Sequence, residues 1–350
     1  MITRRNAIQL GAGLLAGSLF PAGSSFAAGK FAGRRLVYAT WGGDYERAQV
    51  AAYCDTFKAA TGADVIIEGP VSAERVRVML EGGSADWQVI CANDAILYSL
   101  GKAGLLAPID TTIVDVTQVP ADLRYEYGVA MDMGCSLLTY STKEFSGDKT
   151  PKTWADMFDT KIFPGRRMLN ASPRGMLELA LLGDGVAPAD LYPLDLDRAL
   201  AKLDTIKRDV VFADSYSQAQ QLLVDGAVVV GPLFSNRGYT VIKNGAPLGV
   251  SWEGNLRNIT PVVVPKAAAD KDLCWSLVNN MLDPQNQAKV TNAIGVSPTN
   301  PKALDFISPE LGSWLPASGE NNAKGITLNV DYWGANMAAV SERWQEWKLL

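Results

Sequence analysis

Five residues, Trp41-Gly42-Gly43-Asp44-Tyr45, sit between the apolar run RLVYAT and the start of a helical pattern. The glycines permit a tight turn, Asp44 can cap the helix, and Trp41 and Tyr45 remain as aromatic walls. Similar short segments close other apolar runs: CAND carries Asn93 and Asp94, NASPRG carries Ser172 and Arg174, and FADSYS carries Asp214 and Tyr216. GPLFSNR adds Asn236 and Arg237, and SWEGNLRN adds Trp252, Glu253 and Arg257. Singly, most of these read as caps or solvated loop residues. Together they form a ring of aromatics, carboxylates and arginines. An ammonium group is recognised by carboxylates and aromatic faces, each cation–π contact contributing about 0.5–2 kcal/mol. A carboxylate is recognised by a bidentate arginine, and a zwitterion uses both sets. The candidate binding set is therefore Trp41, Asp44, Tyr45, Asp94, Asp214, Arg237, Trp252, Glu253 and Arg257.

Catalytic alternatives find little support. The 350-residue chain has no histidine, which removes Ser-His-Asp and Cys-His catalysis and the commonest zinc ligand. Cys54, Cys91, Cys135 and Cys274 form no C-x-x-C pair, so they are disulfide partners in an oxidising compartment or small buried hydrophobes. A secreted hydrolase working through paired carboxylates needs no histidine, but no spacing singles out a pair. Ser99-Leu100-Gly101-Lys102 fits S-x-x-K without its companion motifs. A ferric site would want clustered tyrosines, and no two tyrosines are adjacent. No catalytic residue, metal or cofactor is expected. The net charge of −5 gives no basic footprint for nucleic acid.

The elements that must position the ring alternate. From residue 35 the chain reads strand, helix at 44–60, strand, helix at 72–81, strand, helix at 94–103. Such alternation specifies crossover units in a mostly parallel sheet. Val50, Tyr53, Cys54 and Phe57 give the first helix one apolar face. A second alternating set follows, with strands in RRMLN, VVFA, AVVVG and LGVSW and helices at 175–183, 195–207, 215–225 and 234–244. The expected fold is α/β with two lobes, crossed at 136–141 and again at 259–265, with a ligand cleft between lobes joined by a two-strand hinge. In open parallel sheets the ligand crevice lies beyond the carboxyl ends of the strands, where the ring residues fall. Residues 28–138 and 262–310 are assigned to lobe 1, and 139–261 and 311–350 to lobe 2. Helices follow at 270–282 and 284–292, and the sequence does not say where a Trp-rich helix at 330–347 packs.

Residues 1–27 read as an export signal. Arg4-Arg5 precede an apolar heart, Leu10 to Phe20, too short for a bilayer that needs about 20 residues. Pro21 breaks the helix, and Ser25 and Ala27 place small residues before a cleavage site. TRRNAIQ resembles the twin-arginine signal, with Ala7 where that signal usually has a bulkier residue. GAGLLAG, at 11–17, follows no strand and is not a nucleotide turn. The mature protein is expected in the periplasm without membrane insertion.

Several longer segments carry a resemblance: GKAGLLAPID, TWADMFDTKIFPGRRML, SPRGMLELALLGDGVAPADLYPLDLDRALAKLD, QLLVDGAVVVGPLFSNRGY and IGVSPTNPKAL. In this order they resemble the polyamine-type, spermidine/putrescine-like extracytoplasmic solute-binding proteins of ABC transporters. The resemblance implies a hinge-closing two-lobe fold, the periplasmic-binding-protein fold of type II, and no enzymatic activity. It also implies capture of a small amine-bearing solute by a monomer that delivers it to the permease of an ABC importer. Trp41 and Tyr45 match the family's aromatic turn, Arg237 in FSNR takes the arginine slot of Trp-Asn-Gly-Arg, and Trp252-Glu253-Gly254 matches an aromatic-acidic turn. Polyamine binders usually carry an Asp shortly after that turn, where this chain has Asn255-Leu256-Arg257-Asn258. An ω-amino acid or another zwitterionic or anionic solute is the alternative on the same fold.

Overall fold

The computed structural model describes residues 29–349, so the export signal lies outside the described residues. Among the described residues one sheet of eleven strands is present. In chain order the strands are β1 (Arg35–Ala39), β2 (Asp64–Glu68), β3 (Val89–Cys91), β4 (Arg124–Tyr125), β5 (Gly128–Ser141), β6 (Arg167–Asn170), β7 (Val210–Ala213), β8 (Val230–Phe234), β9 (Leu248–Val263), β10 (Ser297–Pro298) and β11 (Ile326–Thr327). The path is β2-β1-β3-β9-β5-β8-β6-β7. β1 pairs in parallel with β2 and β3, as β6 does with β7 and β8, and the long central strands β5 and β9 run antiparallel to each other.

Fourteen α-helices accompany the strands: α1 (Gly43–Gln49), α2 (Asp55–Thr61), α3 (Ala73–Glu81), α4 (Asp94–Lys102), α5 (Trp154–Phe158), α6 (Met176–Gly183), α7 (Leu196–Asp204), α8 (Tyr216–Val224), α9 (Ser235–Lys243), α10 (Lys271–Met281), α11 (Pro284–Ile294), α12 (Pro309–Ser313), α13 (Gly319–Ala323) and α14 (Val330–Leu349). Their starts are written in the sequence. Asn93 accepts a hydrogen bond from the Ile96 amide at 2.9 Å, and Ser215 accepts from Gln218 at 3.1 Å, each satisfying an amide that the first helical turn leaves unpaired. Between α1 and α2 a π-helical turn, Val50–Cys54, keeps the run continuous, with Tyr53, Cys54 and Phe57 buried.

The core changes partway along both central strands. Met133 of β5 and Ile259 of β9 belong to a cluster shared with β1, β3 and α10, whereas Leu138 and Leu256 belong to one shared with α6, α7 and α14. The two strands are thus the shared spine of two cores. Both are longer than the crossings expected at 136–141 and 259–265. LGVSW and ITPVVVP are halves of β9, and the segment read as an aromatic-acidic turn is a bulge inside it. Pairing jumps there from Ser136 opposite Leu256 to Leu138 opposite Ser251, leaving Trp252–Asn255 to loop out with Gly254 at φ 64°. β8 also differs, lying over VGPLF rather than AVVVG. Gly231-Pro232 reads as a strand breaker, yet a Cβ on Gly231 would stand 2.8 Å from Met168 of β6. The glycine is what lets the two strands approach.

α14 joins the halves. Val330, at its start, packs into the first core, and Trp333, Trp344 and Trp347 pack into the second. The indole of Trp333 donates to buried Glu178 of α6 at 2.6 Å, and that of Trp344 donates to the Ala171 carbonyl at 2.7 Å. All four cysteines are buried and unpaired, as small core residues. Burial pushes the Cys54, Cys135 and Cys274 thiols up to about 12.

Candidate ligand-binding site

The carboxyl ends of β1, β3, β6, β7 and β8 bring Trp41, Asp94, Arg174, Tyr216 and Asn236 toward the middle of the molecule. Gly42 and Gly43 have φ of 88° and 67°, and neither would place a Cβ within 4 Å of another atom. They are needed for the turn itself, since only glycine takes such angles readily. Asp44 does not cap α1. Gly42 occupies the cap position, and Asp44 lies in the first turn paired with exposed Arg47. Trp41 is half-buried against the first core.

Tyr45 makes the decisive contact. Its hydroxyl donates to Asp132 Oδ2, a carboxylate only 3% exposed on β5. Burial raises the Asp132 carboxyl to about 6, although hydrogen bonds from Tyr45 and Thr260 oppose the shift. Among the described residues no basic side chain balances it. Two residues further along the same face lies Gly134, opposite Asn258 of β9, and a Cβ there would meet the Phe234 ring at 3.1 Å. Asn258 accepts a hydrogen bond from Arg174, which also pairs across the two halves with buried Asp94. Arg174 Nε is buried with no hydrogen-bond partner. The Tyr216 ring lies 4.4 Å from that of Phe234 and within the field of Arg174, Arg237 and Asp94.

Tyr45 with Asp132, Asp94 with Arg174 and Asn258, and Tyr216 with Phe234 are therefore three contact groups set around the crossing strands. Arg237, half-buried on α9, stands beside them: its Nη1 donates to Gln220 at 3.3 Å. With Gly42, Asp44, Tyr45 and Arg47 it lines a cavity of about 840 Å³ between α1, α8 and α9. Asp214 is exposed, and among the described residues its carboxylate has no hydrogen-bond or ion-pair partner.

Three residues of the sequence set lie elsewhere. Arg257 precedes Asn258 on β9, so the two side chains leave opposite faces of the strand. Arg257 donates to Asn322 and to the Gly325 carbonyl and lines a separate cavity of about 240 Å³ with Met133, Ile259 and Thr327. Trp252 packs edge-on against Trp314 at 5.9 Å, and the Trp314 indole holds the Ser235 carbonyl at 2.8 Å. Glu253 is exposed at the bulge. The bulge moved Trp252 and Glu253 away from the contact groups, and strand alternation turned Arg257 away from them. Conversely, Asp132, Phe234 and Asn258 were missed because they sit in strands rather than beyond strand ends. Asp132 had a signal: it is the only charged residue in GVAMDMGCSLLTYS.

A cavity at strand ends, beside two crossing strands shared by both cores, is the kind of place where α/β proteins hold a small solute. Residues 52–316 match the bacterial extracellular solute-binding proteins, and the chain belongs to that family. A gamma-aminobutyric acid-binding protein of Pseudomonas aeruginosa is 27% identical over 339 residues, 94% of this chain and 95% of that one. The spermidine/putrescine-binding periplasmic protein of Escherichia coli K12 is 21% identical over 270 residues, 74% and 77% of the two chains. A GABA receptor of known structure superposes with a TM-score of 0.84 and 31% identity, over 90% of this chain and 98% of its own. The two-lobe periplasmic-binding fold and the resemblance to polyamine-type binding proteins are thereby shown. Among the described residues no helix is long and apolar enough to cross a membrane.

Proposed function

We propose that the protein captures a small amine-bearing solute whose other end carries a carboxylate, an ω-amino acid type of ligand, and delivers it to the permease of an ABC importer. The observation that supports this most is a buried carboxylate without a cationic partner, Asp132, on the same strand face as the Arg174–Asn258 contact. Two residues along a strand span about 7 Å, so one short zwitterion can reach both. The ammonium takes Asp132 and Tyr45, and the carboxylate takes Arg174, whose unpartnered Nε adds a second donor for a bidentate contact. Trp41, Tyr216 and Phe234 enclose the alkyl chain, and Arg237 at the mouth adds positive charge. A polyamine has cations at both ends and would set one against Arg174. The names of the GABA-binding relatives point the same way.

The same reading includes a periplasmic, monomeric mature protein, exported by the signal in 1–27, that binds without turnover. It also includes the division of the chain into 28–138 with 262–310 and 139–261 with 311–350, α14 bridging the two. A thermal-shift screen of amines, amino acids and ω-amino acids tests it. Stabilisation by ω-amino acids with the solute recovered unchanged is expected; consumption of the solute, or stabilisation by none of them, would contradict it.

A further inference from the structure

The described residues hold another cavity, of about 260 Å³, on the outer side of the first core. It lies between the C-terminal half of α4, the turn joining β4 to β5 and the start of α14. Tyr98, Tyr125 and Tyr127 line it, with Glu126 and Asp331 beside them and Leu97 and Val330 adding apolar surface. None of these residues belongs to the cleft set.

Two helix-interior glycines make room for the rings. A Cβ on Gly334 of α14 would stand 2.3 Å from Tyr98 Cγ, and one on Gly101 of α4 would stand 2.8 Å from the Tyr127 ring. Glycine in a helix interior costs about 1 kcal/mol relative to alanine; here the space is filled by tyrosine instead. The electrostatics favour one sign of ligand. Ring faces carry negative charge density, the neighbouring Glu126 carboxylate raises the Tyr127 hydroxyl above its ordinary value, and Asp122 and Asp331 add negative potential around Tyr125. The cation present is Lys102, whose Nζ lies 5.5 Å from the Tyr98 ring centroid and 3.4 Å from its hydroxyl. Among the described residues it has no carboxylate partner, and at these distances it stands at the hydroxyl edge of the ring and not over its face.

We propose that this cavity is a second binding site, for a small organic cation such as an alkylammonium or quaternary ammonium. The charge rests against the tyrosine faces with Glu126 and Asp331 as counter-charges, the alkyl groups meet Leu97 and Val330, and Lys102 is displaced from the Tyr98 ring. A bare metal ion fits less well, because among the described residues no group of three metal-ligating side chains occurs. Tyr125 pairs with Gly128, the first residue of β5, so the occupant touches the root of a crossing strand.

The test is a titration of the mature protein, its tyrosines isotopically labelled, with tetramethylammonium chloride against sodium chloride at equal ionic strength. The ring resonances of Tyr98, Tyr125 and Tyr127 are expected to shift saturably with tetramethylammonium alone. Glu126→Gln combined with Asp331→Asn should weaken that binding at least tenfold. Both positions are exposed, and circular dichroism verifies that the variant is folded. Lys102→Met should strengthen binding by removing the competing ammonium. Identical, unsaturable shifts in the two salts would overturn the proposal, as would binding that survives the double substitution or is weakened by Lys102→Met.

Discussion

Asp132 is a carboxylate 3% exposed on β5, held by the Tyr45 hydroxyl. An exposed aspartate ionises near 3.9, whereas burial raises this one to about 6. Between those values the native state holds more protons than the unfolded state, so the contribution of Asp132 to stability falls as pH rises through the window. Asp132→Asn should remove that slope and stabilise the solute-free protein at neutral pH by up to about 3 kcal/mol, as measured by urea unfolding at pH 4 and pH 7. The same substitution should weaken solute binding, and in the native protein affinity should rise as pH goes from 5 to 7 and the carboxylate ionises. A variant less stable at pH 7 than the native protein would show that the carboxylate is satisfied by its own fold. Arg174→Met should cost roughly 2–5 kcal/mol of affinity, as loss of a desolvated charge contact does, whereas Arg237→Met at the mouth should cost less than about 1 kcal/mol. Calorimetry on the two variants separates them; the reverse order would move the carboxylate to Arg237. Trp41, Tyr45 and Asp94 stand in the candidate set of the sequence because the carboxyl ends of parallel strands mark a crevice, whereas Arg174, noted at such an end, was left out of that set. Asp132 and Asn258 were not legible, because which face of a strand looks into a cleft depends on its partners.

The elements were more legible than the site. Helices with a side-chain cap and a periodic apolar face, such as α4 and α8, fall within a residue or two of their expected bounds, since both signals are local. β9 was not legible as one strand, because Trp252–Asn255 carries turn residues that serve a bulge. The place of α14 was hidden for a different reason: its tryptophans are fixed by distant partners. Glu178, fully buried, accepts from the Gly175 amide, the Tyr192 hydroxyl and the Trp333 indole. Trp333→Phe removes one donor from a buried carboxylate and leaves a void where the second indole ring stood. A loss of about 1–3 kcal/mol in unfolding free energy is expected. A change below about 0.5 kcal/mol would mean that neither the indole's hydrogen bond nor its packing stabilises the fold.

At the scale of the whole molecule, two strands and one helix connect two cores across a cleft. The Asp94–Arg174 pair spans the cleft, so a bound carboxylate must share Arg174 with Asp94. A solute held by groups of both lobes favours the closed arrangement. Small-angle scattering should therefore give a smaller radius of gyration at saturating solute, and an unchanged radius would mean that the solute engages one lobe only. The central claim, recognition of both ends of a short zwitterion, is tested most directly by calorimetric titration with a matched series: 4-aminobutyrate, butylamine, butyrate and putrescine. 4-Aminobutyrate is expected to bind at least tenfold more tightly than each of the other three, because butylamine and butyrate each lack one of the two end contacts and putrescine sets a cation against Arg174. Putrescine binding as tightly as 4-aminobutyrate, or more tightly, would contradict it.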